Sequence, residues 1–156
     1  MKPHAVLVVF VSLVLLTPAL ALTHLSEVEL VQKSDLVALG EVVGVDQGVD
    51  STSVQIKLSQ VLKGSQEPGD LVTVESFGGK VYVDEDEPSW SPYKVGLYFL
   101  HKTASGGILA CVNKADGQKR IFGENIFPYH ENITLGVPLK DYLKSLESAV
   151  RSSKQR

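Results

Sequence analysis

From Asp35 to Glu75 the apolar positions fall into three short runs. Their spacing predicts three successive strands, Leu36–Asp46, Ser53–Leu62 and Asp70–Glu75. In the first run Val37, Leu39, Val43 and Val45 share one parity, while Leu36, Ala38, Gly40, Val42 and Gly44 share the other. Both faces are thus partly apolar, the pattern of a strand covered on each side for part of its length. Gly40 and Gly44 mark places where such a strand coils sharply or takes a bulge. The second run alternates cleanly, with Val54, Ile56 and Leu58 inward against Gln55, Lys57 and Ser59. Val61-Leu62 breaks that alternation just before the polar turn Lys63–Gly69, and the third run sets Val72 and Val74 on one face.

Later segments repeat the pattern of short strands and turns. Phe77-Gly78-Gly79 reads as a tight backbone passage and Lys80–Val83 as a short strand. Asp84–Pro92 contains consecutive acids and two prolines, which exclude a core strand and predict an exposed loop. Tyr93–His101 is the strongest late strand, Ile108–Val112 returns, Asp116-Gly117 marks a turn, and Lys119–Phe122 is a final strand. Helices flank this β-rich centre. Ser26 can cap a short helix with Glu29 completing the capping box, and Leu25 and Leu30 are placed as its hydrophobic staple. After Pro138, at a first-turn position, Leu139, Leu143, Leu146 and Val150 recur at helical spacing, with Tyr142 beside them. The fold class that follows is an all-β core with a short N-terminal helix and a C-terminal amphipathic helix.

The first residues belong to a different part of the chain's life. A positive start, an apolar run from Ala5 to Leu16, and Ala19-Leu20-Ala21 form the pattern of a secretory signal peptide cleaved after Ala21. The apolar run of about a dozen residues is short of the roughly 20 that cross a bilayer. This divides the chain into a signal peptide, 1–21, and a single domain, 22–156, expected to be secreted or periplasmic without stable membrane insertion. The precursor's formal charge of −3 and the lack of a basic cluster argue against nucleic acid as a partner. Cys111 is the only cysteine, so no intramolecular disulfide contributes and the apolar core must stabilise the fold.

Candidate chemistry is sparse. Asp84, Glu85, Asp86 and Glu87 offer oxygen ligands of the kind calcium takes, but adjacent positions diverge and the spacing of a calcium loop is missing. A solvated loop, or attraction of a cationic partner, is the simpler reading. His24, His101 and His130 lie far apart without metal-ligand spacing, so neither a metal nor a cofactor is assigned. His130-Glu131 is the alternative site, a histidine beside a carboxylate that suits a base. Cys111 reads as a buried, inert thiol. Trp90, with Tyr82, Tyr93 and Phe77, concentrates aromatic surface around Gly78, Gly79 and the acidic loop, a composition found at partner surfaces and also at barrel ends. Asn132-Ile133-Thr134 is a glycosylation acceptor for a host that secretes through a eukaryotic route.

The order of these motifs resembles a family. Ser34-Asp35-Leu36-Val37-Ala38-Leu39-Gly40-Glu41-Val42, then Val61-Leu62-Lys63-Gly64, then Tyr93-Lys94-Val95-Gly96-Leu97-Tyr98-Phe99-Leu100, are similar to the opening, turn and late strand of netrin-like and tissue-inhibitor-of-metalloproteinase-like domains. The late strand also resembles that of uncharacterised secreted bacterial proteins. The resemblance implies a five- to six-stranded OB-like barrel with flanking helices. It does not carry over protease inhibition, because those inhibitors chelate zinc through an N-terminal cysteine and Leu22 stands at the expected mature start. The expected function is a non-enzymatic binding module with Gly78, Gly79, Asp84–Glu87, Trp90 and Tyr93 as the surface offered to a protein or envelope partner. A small histidine-based or metal-assisted hydrolase at His130 and Glu131 is the alternative from another class, and a structural envelope protein is a third.

Overall fold

A computed structural model describes residues 24–80, 90–92, 94–104, 109–127 and 136–153. The signal peptide, the acidic loop with Asp84–Glu87, Tyr93, His130–Glu131 and the Asn132 acceptor lie outside the described residues, as does the strand expected at Lys80–Val83 beyond its first residue. In chain order the elements are α1 (Glu27–Lys33), β1 (Leu36–Gln47), β2 (Ser51–Lys63), β3 (Leu71–Phe77), β4 (Val95–Lys102), β5 (Leu109–Cys111), a 3₁₀ turn (Lys114–Gly117), β6 (Gln118–Phe122), β7 (Asn125–Phe127), β8 (Val137–Pro138) and α2 (Leu139–Ser153).

The strands follow the order β1-β2-β3-β5-β4, and β4 pairs back onto β1. A closed, five-stranded, OB-like barrel results. Neighbours are antiparallel except β3 and β5, which run parallel through Val74 and Leu109. Beyond the barrel, β6 pairs with β4, and β7 and β8 extend the sheet as a short antiparallel apron.

Two apolar clusters hold this architecture, one on each face of β1 and β4. Inside the barrel lie Leu36, Ala38, Val42, Val54, Ile56, Leu58, Val72, Val74, Tyr98, Leu100, Leu109 and Cys111. Outside, Val37, Leu39, Leu97 and Phe99 meet Leu30 and Val31 of α1 and Tyr142, Leu146 and Val150 of α2. The mixed parity of the first strand therefore has a direct cause: Leu36, Ala38 and Val42 fill the barrel while Val37 and Leu39 carry the helices, and beyond the register shift at Val42–Gly44 it is Val45 that packs against the inner cluster. Each fully buried aliphatic or aromatic side chain contributes on the order of 1.5–3 kcal/mol relative to exposure.

The long β1 bends to close the barrel. Its register against β2 shifts between Leu39 and Gly40 and again between Val42 and Gly44. A Cβ on Gly40 would sit 2.6 Å from Ile56 Cγ2 and 2.9 Å from the Lys57 carbonyl oxygen, so only a residue without a side chain permits this approach.

α1 has the expected capping box: Ser26 Oγ accepts from Glu29 N–H, and the Glu29 carboxylate accepts from Ser26 N–H at 2.9 Å. Leu25 packs against the same outer cluster as Leu30. Lys63, at the end of β2, closes the other end of the helix. Its Nζ donates to Val31 O at 2.7 Å and to Ser34 O at 2.6 Å, setting a cation on the helix's terminal carbonyls. Two details of α2 differ from the sequence expectation. Pro138 pairs with Asn125 as the last residue of β8 rather than opening the helix, and the Leu139 N–H donates to Glu124 O at 2.8 Å. The buried stripe runs through Tyr142, with Leu139 and Leu143 at its margins, because the sheet beneath meets the helix along that line.

Candidate functional site

Strand directions sort the loops onto two ends of the barrel. One end, the upper, gathers the β1–β2 turn at Gly48–Asp50, the exit of β3 into Gly78-Gly79, Trp90 and Ser91 ahead of β4, and the last residue of β6. The other, the lower, gathers the start of β1, the β2–β3 turn and the end of β4.

Side chains at the upper end are arranged unlike those of an ordinary strand terminus. Ser51 is paired with Phe77, which brings the β1–β2 turn against the end of β3. There Val49 is 64% exposed and Phe77 59% exposed. Val43 and Val95, on β1 and β4, and Phe122, 82% exposed at the end of β6, are further exposed apolar side chains, set back along the barrel from the β1–β2 turn. Leu71 is 63% exposed at the lower end, and Val28, on the helix that leads into β1, is 52% exposed.

The glycine pair builds the frame for this surface and is not itself the surface. Gly78 is buried with φ +95°, a left-handed conformation that glycine adopts without strain. Its N–H donates to Asp50 O at 3.0 Å and its carbonyl accepts from the buried Thr52 Oγ1 at 2.7 Å. A Cβ on Gly79 would fall 2.5 Å from Gly48 O and 2.6 Å from Val49 O. The pair thus lets the chain after β3 cross directly over the hairpin turn, against the main chain of Gly48 and Val49.

Trp90 is half-buried. It packs against the barrel interior and stacks on Tyr98, with ring centroids 6.0 Å apart and planes 18° from parallel. Tyr98 is wholly buried. Burial pushes its hydroxyl well above the ordinary tyrosine range, the nearby Cys111 thiol adds to the rise, and the Gln118 side chain partly opposes it. Trp90 and Tyr98 close the interior at the upper end, and Cys111 lies buried within it.

The pair formed by a histidine and a carboxylate within the described residues joins His24 to Asp116, not neighbours in sequence. His24 Nδ1 lies 2.9 Å from Asp116 Oδ1. Asp116 Oδ2 accepts from Asn113 Nδ2 at 2.6 Å and from Leu25 N–H at 3.2 Å. Burial pushes the Asp116 carboxyl up, but the hydrogen bonds from His24, Asn113 and Leu25, with the charge of His24, outweigh it and hold the group below the usual carboxylate range. Lys119 is buried nearby. Desolvation pushes its amine down, and the charges of Asp116 and Glu27 oppose that. The carboxylate is engaged on both oxygens and the His24 side chain is 70% exposed, so the pair anchors the segment before α1 to the 3₁₀ turn without enclosing a reacting atom. Among the described residues no group of three or more His, Cys, Asp or Glu side chains is disposed to hold a metal ion.

Of the surface residues expected from sequence, the structure brings Gly78, Gly79 and Trp90 to one barrel end. Val49, Val43, Val95 and Phe122 were not singled out. Their signal was weak: each is an apolar residue on an outward parity or in a turn, ordinary when taken alone. No protein-family model matches the chain, and no curated protein matches it significantly. No helix among the described residues is long and apolar enough to cross a membrane.

Proposed function

We propose that the chain is exported, that its leader is removed after Ala21, and that the domain from Leu22 onward is a non-enzymatic module binding a protein or cell-envelope partner through the upper barrel end. The observation that carries this reading is the exposure of Val49, in the glycine-built β1–β2 turn, and of Phe77, at the end of the strand paired with that hairpin. Exposed apolar area is unfavourable in water by about 25 cal/mol per Å². Grouped apolar side chains on a rigid edge are the composition of interaction sites. The resemblance of Ser34–Val42, Val61–Gly64 and Tyr93–Leu100 to netrin-like domains supports a scaffold of this kind, since those domains present loops from a barrel of the same class.

The test is capture by the immobilised mature domain from an exported-protein fraction, with wild type beside the double variant Val49→Ser/Phe77→Ser. Capture of a defined partner by wild type, lost in the variant, is expected. Capture that survives the double substitution, or none by either protein, rejects the upper end as the binding surface.

A further inference from the structure

The outward row of β3 is the uncovered counterpart of its buried row. Val72, Val74 and Ser76 are buried, while Leu71, Glu75 and Phe77, on the alternate parity, are exposed. Strand pairing extends that outer face across the neighbouring strands: Phe77 lies opposite Ser51, Glu75 opposite Ser53, and Ser53 opposite Asp46 of β1. Asp46 and Glu75 therefore flank Ser53 on one face, about 10 Å apart at two strand spacings. Both are exposed, and neither forms an ion pair among the described residues. Asp50 adds a third exposed carboxylate in the β1–β2 turn. Lys80, whose N–H donates to Gly48 O at 3.0 Å, is the one described cation against that turn, and Lys57, further down the face, sits opposite Glu41.

Ser51 and Ser53 are short, so the middle strand lies lower than its neighbours between the two carboxylates. A long cationic side chain laid over the serines meets both of them. An arginine there can also rest its guanidinium plane on the Phe77 ring, which is 59% exposed. Anionic polymers and anionic lipid headgroups are repelled by the same carboxylates. We propose that this face binds a basic protein surface, one that presents arginine or lysine beside an apolar side chain. The proposal rests on the reading of the upper end as a binding surface and names the chemistry of its partner. Apolar contact at Phe77 supplies the hold, and the carboxylates supply orientation and speed of encounter.

The test uses the purified exported protein and three probes: a short peptide alternating arginine and leucine, one alternating glutamate and leucine, and vesicles of phosphatidylcholine with phosphatidylglycerol. The arginine peptide is expected to bind saturably, to move the backbone amide resonances of Ser51–Ser53 and Glu75–Phe77, and to weaken as salt is added. The pair Asp46→Lys/Glu75→Lys should lower its affinity about tenfold, since each reversal replaces an exposed attraction with a repulsion of similar size. A urea midpoint checks that the variant folds, and if it does not, Asp46→Asn/Glu75→Gln decides by the same comparison. No binding of the arginine peptide, binding equalled by the glutamate peptide, or binding indifferent to the charge changes overturns the proposal. Binding to the vesicles without binding to the arginine peptide also overturns it and points to a membrane surface. In the capture assay above, loss with Val49→Ser/Phe77→Ser but not with Asp46→Lys/Glu75→Lys overturns the basic partner alone. Capture unchanged by either pair overturns the upper end as the binding surface as well.

Discussion

The two ends of the barrel are held by different kinds of bonds. At the lower end, side chains reach between elements distant in sequence: Lys63 Nζ caps the carbonyls of Val31 and Ser34, and the Asp35 carboxylate accepts from Lys102 N–H at 2.7 Å. Asp35 N–H donates to Leu100 O at 2.8 Å on the same side. At the upper end the connections are chiefly main chain to main chain, from Gly48 to Ser51, Gly78 to Asp50 and Lys80 to Gly48. Main-chain bonds fix the upper turns, where Val49 and Phe77 are more than half exposed. Long-range side-chain bonds thus mark the lower end, and a main-chain frame carrying two largely exposed apolar side chains marks the upper.

The largest expected effect lies in the core on which both ends depend. Phe99 is fully buried on the outer face of β4, between the barrel and its helices. Phe99→Ala should cost about 3–5 kcal/mol, read as a lowered urea midpoint with unchanged slope. A loss below about 1 kcal/mol, as for an ordinary surface substitution, would show that the helices do not share one core with the sheet.

At the lower end, Lys63→Met keeps the aliphatic stem and removes both charge-assisted bonds to α1. A loss of about 1.5–3 kcal/mol is expected for bonds to a charged group, with faster amide exchange confined to α1 and the start of β1. If exchange in α1 is unchanged, the polar closure of this end is not what secures the helix.

Between the ends, Asp116 makes the fold sensitive to acid. Its folded-state pKa is depressed, so its stabilising contribution is complete above the unfolded value of about 3.9 and is lost as pH falls through the folded value. Asp116→Asn should therefore lower stability at neutral pH and flatten the acid limb of a stability-versus-pH curve. Equal acid slopes for wild type and variant would contradict this assignment.

The smallest change in stability should come from the upper end. Val49→Ser and Phe77→Ser alter exposed side chains and should each shift stability by no more than about 0.5 kcal/mol, even as partner capture is lost. A destabilisation comparable to that of Lys63→Met would show that these residues pack rather than bind, and the contrast between the ends would collapse.

Much of the fold was legible in local pattern. Period-two alternation located β2 and β3, the mixed parity of β1 announced covering on both faces, and the Ser26–Glu29 spacing set the start of α1. The glycines at 40 and 44 marked the bends. The site was far less legible. Asp116-Gly117 reads as a plain turn until the fold brings His24 and Leu25 to it from more than ninety residues away. Trp90 reads as exposed aromatic surface until Tyr98 is found beneath it.

The amino-acid sequence alone determined which segments become strands and helices and where the backbone must bend, because those choices depend on side-chain periodicity and on residues within a turn of one another. Tertiary structure decided which carboxylate holds which histidine, which lysine closes which helix and which valines stay in water. Those outcomes depend on barrel closure and strand register, which bring together residues with no proximity along the chain.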